Sequence, residues 1–485
     1  MSAPSPILIL QMQRMGDLVL SFPLLAWLGG CFPGHPLWVV GERAFFEPLM
    51  PLSPNVTYFS YNGPPDLRGL DFRAVINLSH RPESALLAGK ARTGTRLGPW
   101  RDEDARLFIG GDWQLYRASL THNNQYNLFH WSDLNALDII PTPAIRRTGW
   151  PRPRPLLRLE PGNAGTGKDG ARIGLFLGAS EPEKHPGAAF WAALVKYLLH
   201  AGHKPVLLGG KAELPLGRAV TSLTKIPAIN LCGRFSVSEL ARFLSELDLC
   251  ITPDTGPMHI AAWTGTPTLN LSMGPVNPWE TGPFSPGHHI LRAALDCAGC
   301  WRCTRERVLC GEIMEPAKVA AVAAYLFSGG TEKPPRLSSR AGSLELLRTT
   351  RDAHGLYFLE RLQGPERETG DVRQAVSLFW RAWFGHLFQR FSGEEVAAAR
   401  AYLVEEHPQA AEELAGAATR FVLTLARAFR TTPTSPLDAP DFWQETSSLL
   451  RPLSGYIQMY VQNAQAGREA CAHALSLAEE IAGLA

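Results

Sequence analysis

Asp17, Lys184 and Asp254 each stand between a short apolar run and a helical segment. The stretches are "QMQRMGDLVLSFPLLAWL" (11–28), "LGASEPEKHPGAAFWAAL" (177–194) and "TPDTGPMHIAAWTGTPTLNL" (252–271). A carboxylate at such a turn can take a proton as a general base once it is partly desolvated, or it can cap the helix that follows. A lysine beyond a strand end can neutralise a phosphate, with Ser180 adding a hydrogen bond, or can simply be solvated. Asp254 or Thr255 can cap a helix whose first turn holds Pro257. The N–H groups there, near Gly256, favour a bound anion. Glu213, just after the run "KPVLLGG", is placed to accept ribose hydroxyls or to put charge near a helix start.

These positions need strands that end on one side and helices that return. Residues 7–140 alternate runs such as "ILIL", "LWVV" and "AVINLS" with helical segments, the pattern of a βα-repeating domain. A Pro-, Gly- and Arg-rich linker is expected over 141–170. The pattern restarts over 171–327, where "RIGLFLGAS", "KPVLLGG", "PAINLCG", "LDLCITPD" and "TPTLNLS" read as strands, with helices near 187–201 and 236–247. A second linker covers 328–342, and 343–485 reads as an all-α module. In it, Val372, Val376, Phe379, Trp383, Leu387 and Phe391 share a face that Trp380, Phe384 and Phe388 widen. A helix apolar nearly all round belongs in a bundle core, with an interfacial membrane helix or a partner surface as rivals.

With 485 residues, 45% of them hydrophobic, the chain can build two or three cores. A net charge of +2 gives no general argument for nucleic acid. The module from 343 onward carries 13 basic and 18 acidic residues, which disfavours an anionic membrane surface. No apolar run approaches the roughly 18 residues of a membrane span. The start "MSAPSPILIL" lacks a signal-peptide pattern, so a cytoplasmic location is expected. Cys297, Cys300, Cys303 and Cys310 form a C-x2-C-x2-C-x6-C cluster. Their spacing suits a structural Zn or Fe–S site, reduced thiols or a local disulfide. Lys90, Arg92, Arg96 and Arg101 can meet an acidic acceptor or remain solvated.

The order of these motifs over about residues 5–327 resembles glycosyltransferase family 9, the heptosyltransferases of lipopolysaccharide core assembly. The resemblance rests on "RMGDLVLSFPLL", "GASEPEKHP…FW" and "PDTGPMHIAAWTGTPTLNLSMGPVNPWETGPF". It implies a GT-B fold, two Rossmann-like domains facing a cleft, with acceptor on the first and nucleotide-sugar on the second. It also implies that Asp17 is the base, Lys184 the phosphate-binding lysine, and Asp254, Thr255, Gly256 and His259 the donor turn. Ser180, Glu213 and Phe235 fall at donor-side positions. Asn277 stands where family members often carry a carboxylate.

The activity this implies is inverting, metal-independent transfer of heptose from ADP-heptose to a lipopolysaccharide inner-core acceptor. The enzyme would meet its glycolipid at the inner face of the cytoplasmic membrane. The alternatives are another nucleotide-sugar, a protein acceptor, or a non-catalytic binding protein. Retention of Asp17, Lys184 and Asp254 together speaks against the last.

Overall fold

The computed structural model describes residues 4–484 except 68, 122, 151–169, 298, 301–302, 304, 332, 341, 366–370, 431–442 and 444–445. The first sheet is built from β1 (Ile7–Gln11), β2 (Leu37–Gly41), β3 (Thr57–Ser60), β4 (Ala74–Asn77), β5 (Arg96–Arg101) and β6 (Leu107–Gly110). Their order is β3-β2-β1-β4-β5-β6, parallel until the antiparallel β6. The run "ILIL" explains why β1 is central. Ile7 and Ile9 enter the core on one face while Leu8 and Leu10 enter a second cluster on the other, as a strand buried on both faces requires.

The second sheet holds β7 (Arg172–Phe176), β8 (Lys204–Leu208), β9 (Leu249–Pro253), β10 (Thr268–Ser272) and β11 (His289–Ala293). They run parallel in the order β8-β7-β9-β10-β11. The expected strand at "PAINLCG" is instead a 3-10 turn, Pro227–Ile229, followed by a single bridge from Asn230 to Leu207. Pro227 cannot donate to a ladder, and the segment is too short to continue one.

Four helices border the space between the sheets: α1 (Met15–Cys31), α2 (Asp112–Ser119), α3 (Gly256–Trp263) and α4 (Pro278–Thr281). α1 and α3 pack against each other across the domain boundary, with Phe22 edge-on to Trp263 at 5.4 Å. The first domain does not stop at 140. Ile145 is buried, and Trp27 Nε1 donates to Thr148 Oγ1 at 2.7 Å. The expected linker therefore begins with folded residues, and most of the rest of it lies outside the described residues.

The all-α reading of 343–485 is corrected at its start. β12 (Ser338–Ser339), β13 (Gly342–Arg351) and β14 (Tyr357–Gln363) form a hairpin that extends the second sheet antiparallel to β11. Leu, Glu and Arg give "GSLELLRTTR" the composition of a helix. The open edge of β11 supplies a ladder that overrides this propensity.

The remaining described elements of the tail are helical, with α5 (Val372–Leu387), α6 (Gly393–Glu406), α7 (Pro408–Arg430), α8 (Arg451–Asn463) and α9 (Arg468–Ala482) as its main helices. α5 is a bundle helix, with Phe379, Trp380, Trp383 and Phe384 buried. Three residues assigned to its face depart from it: Val372 is exposed, Phe388 is the C-cap, and Phe391 lies beyond the helix end.

The helical part docks on the first domain. Phe384 lies 4.5 Å from Tyr116, and Phe388 lies 4.9 Å from Trp113. Asn463 both accepts from Ile109 N (2.6 Å) and donates to Ile109 O (3.0 Å). One chain segment thus grips the second sheet by strands and the first domain by helices. Among the described residues, no helix is long and apolar enough to cross a membrane.

Candidate functional site

β1 and β9 end toward the same gap, and the helices that follow them, α1 and α3, face each other there. Gly16 permits the approach, since a methyl group on it would lie 3.2 Å from His259 Cδ2 and 3.6 Å from Gly256 Cα. The result is a cleft of about 870 Å³ lined by both domains, in the size range of small-molecule sites. Asp17, Ser180, Lys184, Asp254, Thr255, Gly256 and His259 all line it.

Asp17 is both helix residue and cleft residue. Its Oδ2 accepts from Arg14 N at 3.2 Å, closing the first turn of α1. Burial pushes its carboxyl above the usual aspartate range, against the opposing pull of Arg117, His259 and Arg14. Lys184 sits on a 3-10 turn after β7, its Nζ 3.1 Å from Glu181 Oε1. Ser180 accepts from Arg14 Nη1 at 3.2 Å, a bond between the domains.

The turn at Asp254 differs from the capped helix that its sequence suggests. Thr255 occupies the cap position of α3 but makes no side-chain cap bond. Asp254 is engaged elsewhere, its Oδ2 accepting from Thr281 Oγ1 at 2.5 Å. The first-turn N–H groups of α3 thus receive no capping oxygen from Thr255. Burial raises the Asp254 carboxyl to about 6, while the Thr281 hydroxyl and Lys184 oppose the shift. His259 Nε2 lies 3.8 Å from Asp254 Oδ1. Burial lowers that imidazole to about 4, so at neutral pH it is an uncharged neighbour and not half of an ion pair.

Two expected donor-side residues stand apart. Glu213 accepts from Gly210 N at 2.7 Å and packs on Gly178 and Gly209. Phe235 stacks on Phe243 at 4.8 Å. Neither is among the cleft-lining residues.

The family model described as glycosyltransferase family 9 (heptosyltransferase) matches residues 65–308, half of the chain. The chain belongs to glycosyltransferase family 9. Curated relatives of the family include lipopolysaccharide heptosyltransferase 1 of Pseudomonas aeruginosa, 30% identical over 170 residues, which are 31% of this chain and 47% of that protein. Lipooligosaccharide heptosyltransferase 2 of Campylobacter jejuni is 29% identical over 160 residues, 31% of this chain and 50% of the relative. The chain spans about half the length of these curated relatives. The crystal structure of a family 9 glycosyltransferase from Veillonella parvula aligns with a TM-score of 0.50 at 20% identity, covering 67% of this chain and 98% of that one. That likeness supports the two-sheet α/β fold.

In this family 9 chain the cleft also holds residues that the sequence did not single out. Arg117, from α2, is buried, and its Nε has no hydrogen-bond partner among the described residues. Burial lowers it to about 10, so it is charged at neutral pH. His80 lines the same wall and is exposed to the cleft. Both were hidden because an arginine in "QLYRASL" and a histidine in "NLSHRPES" resemble ordinary surface residues until β4 and α2 are placed. Glu280 lies within "NPWETG" without a local signal of its own, and burial raises it to about 7.

Cys297, Cys300, Cys303 and Cys310 line one cavity of about 30 Å³ behind the Gly274 turn. Cys310 Sγ accepts from Gly274 N at 3.2 Å. Gly274 has φ 76°, and a Cβ there would lie 2.6 Å from Glu183 O, so this turn supports the loop that carries Lys184. All eight cysteines are unpaired in this structure. Among the described residues, no three metal-binding side chains are arranged to hold an ion.

Proposed function

We propose that the protein is an inverting glycosyltransferase that moves heptose from ADP-heptose to a lipopolysaccharide inner-core acceptor. The observation that carries this reading is the meeting of Asp17, Lys184 and the α3 N-terminus across one cleft between two domains. The names of the curated relatives support the choice of sugar and acceptor class.

In this mechanism the acceptor hydroxyl oxygen attacks the anomeric carbon and forms the new C–O bond. The bond from that carbon to the diphosphate breaks, and its electron pair leaves with ADP. Asp17 takes the hydroxyl proton, which its raised proton affinity favours. Lys184 and the uncapped N–H groups of α3 meet the charge that grows on the leaving diphosphate. Attack opposite the leaving group inverts the anomeric carbon. The charged Arg117 beside Asp17 suits an anionic acceptor group. The acceptor is a glycolipid met at the inner face of the cytoplasmic membrane, by peripheral contact.

No metal takes part in this scheme, because a lysine and a helix terminus carry the charge. The four cysteines act structurally, as reduced thiols that brace the Gly274 turn.

The test is a panel of ADP-, UDP- and GDP-sugars, scored for acceptor-dependent nucleotide release with and without EDTA. ADP-heptose is expected to give the fastest release, undiminished by EDTA. A faster UDP-sugar moves the enzyme to another donor, transfer to a protein acceptor replaces the glycolipid, and loss restored by Mg²⁺ rejects the charge scheme.

A further inference from the structure

We infer that Glu280 is a positioning residue that links the acceptor-side domain to the donor-side carboxylate Asp254. The inference rests on the reading of Asp254 as a donor-site residue. Glu280 lies on the short helix α4, is 4% exposed, and lines the cleft. It has no part in the proton or phosphate chemistry.

Both its oxygens are held from the opposite domain. Asn124 Nδ2 donates to Oε2 at 2.6 Å, and Asn127 Nδ2 donates to Oε1 at 3.0 Å. Two bonds run back, Asn277 Nδ2 donating to Asn124 O (3.2 Å) and Asn127 O (3.3 Å), and a further one, His130 Nε2 to Gly282 O (3.0 Å), runs in the first direction. The segment 277–282 is therefore fixed to 124–130 at both ends and in the middle.

The next residue along the chain, Thr281, holds Asp254. A displacement of 124–130 thus reaches Asp254 through the segment 277–282, most directly through the Glu280 carboxyl, one peptide unit and the Thr281 hydroxyl. An apolar contact at this boundary would hold the domains together without fixing the direction of a single bond. Two amide donors on a buried carboxyl group fix it, because a shift leaves a buried polar group without its partners. A ligand ordered on one side of the cleft is then sensed on the other, and by reciprocity the effect runs both ways.

The test uses the full-length protein, ADP as the probe, and hydrogen exchange read at 254–262 and at 124–130. In the wild type, ADP is expected to slow exchange in both segments. In Glu280→Gln, which keeps the side-chain volume but turns an NH2 group toward one asparagine donor, ADP still protects 254–262. Its effect on 124–130 falls at least about fivefold. Thr281→Val gives the same loss, and the double variant is no worse than either single one, since both lie on one path.

Additive losses, or variants that transmit the ADP effect as the wild type does, overturn the inference. ADP protection confined to 254–262 in the wild type overturns it too, and leaves the donor reading standing. Absence of ADP binding to the wild type overturns both.

Discussion

Asp17→Asn is expected to lower turnover by about 100- to 10,000-fold, the range that removal of a general base spans. The amide can still accept from Arg14 N, so the first turn of α1 keeps its closing bond and the variant folds. Donor affinity should stay near that of the wild type, because the proposed scheme gives Asp17 a role toward the acceptor only. The wild-type rate should also show an acid limb. The base must be ionised to take a proton, and burial raises its proton affinity. Activity therefore falls as pH drops through a midpoint above the ordinary aspartate value. Steady-state kinetics across pH checks both points. Full turnover in Asp17→Asn removes Asp17 as the base.

Lys184→Ala should lower turnover by about 100- to 1,000-fold and also raise KM for donor. The two effects have separate origins. Charge on the diphosphate grows as the sugar leaves, so the lysine matters more in the transition state than in the bound complex. Removing it also strips Glu181 of the cation 3.1 Å away, leaving a carboxylate near the diphosphate. Adding Glu181→Gln to Lys184→Ala should therefore recover part of the KM and none of the turnover. Unchanged turnover at saturating donor would make Lys184 a ground-state contact only.

The residues proposed for the chemistry were legible because each sits at a change of local pattern. Asp17, Lys184 and Asp254 follow apolar runs that end in Gly or Pro, and such punctuation places a side chain at a strand end whatever the rest of the chain does. The donor turn departs from its local pattern at one point: the sequence offers Asp254 as a cap for its own helix, whereas Thr281, 27 residues further on, takes that carboxylate instead. Glu280 and Arg117 carried no local signal. Asn124 is 156 residues from the carboxylate it binds, and nothing in "NNQYN" or "PWETG" announces the pair.

The fold was legible where periodicity is long. The α/β alternation and the buried aromatic helix at 372–387 follow from patterns of ten residues or more. The hairpin at 342–363 was not legible, because the decisive partner of "LELLRT" is the edge of β11 and not a neighbour in sequence.

That hairpin governs how the two-sheet part of the chain can be isolated. A truncation after 327, where the last helix of the second domain ends, would leave β11 with a bare row of N–H and C=O groups. Such an edge invites pairing with another copy, so the product should aggregate even if its active site is intact. A fragment ending after Gln363 keeps that side of β11 covered but uncovers Tyr116 and Trp113, which Phe384 and Phe388 shield. The tail is thus a built-in chaperone for two sticky surfaces, one polar and one aromatic, and a soluble minimal enzyme needs a substitute for each.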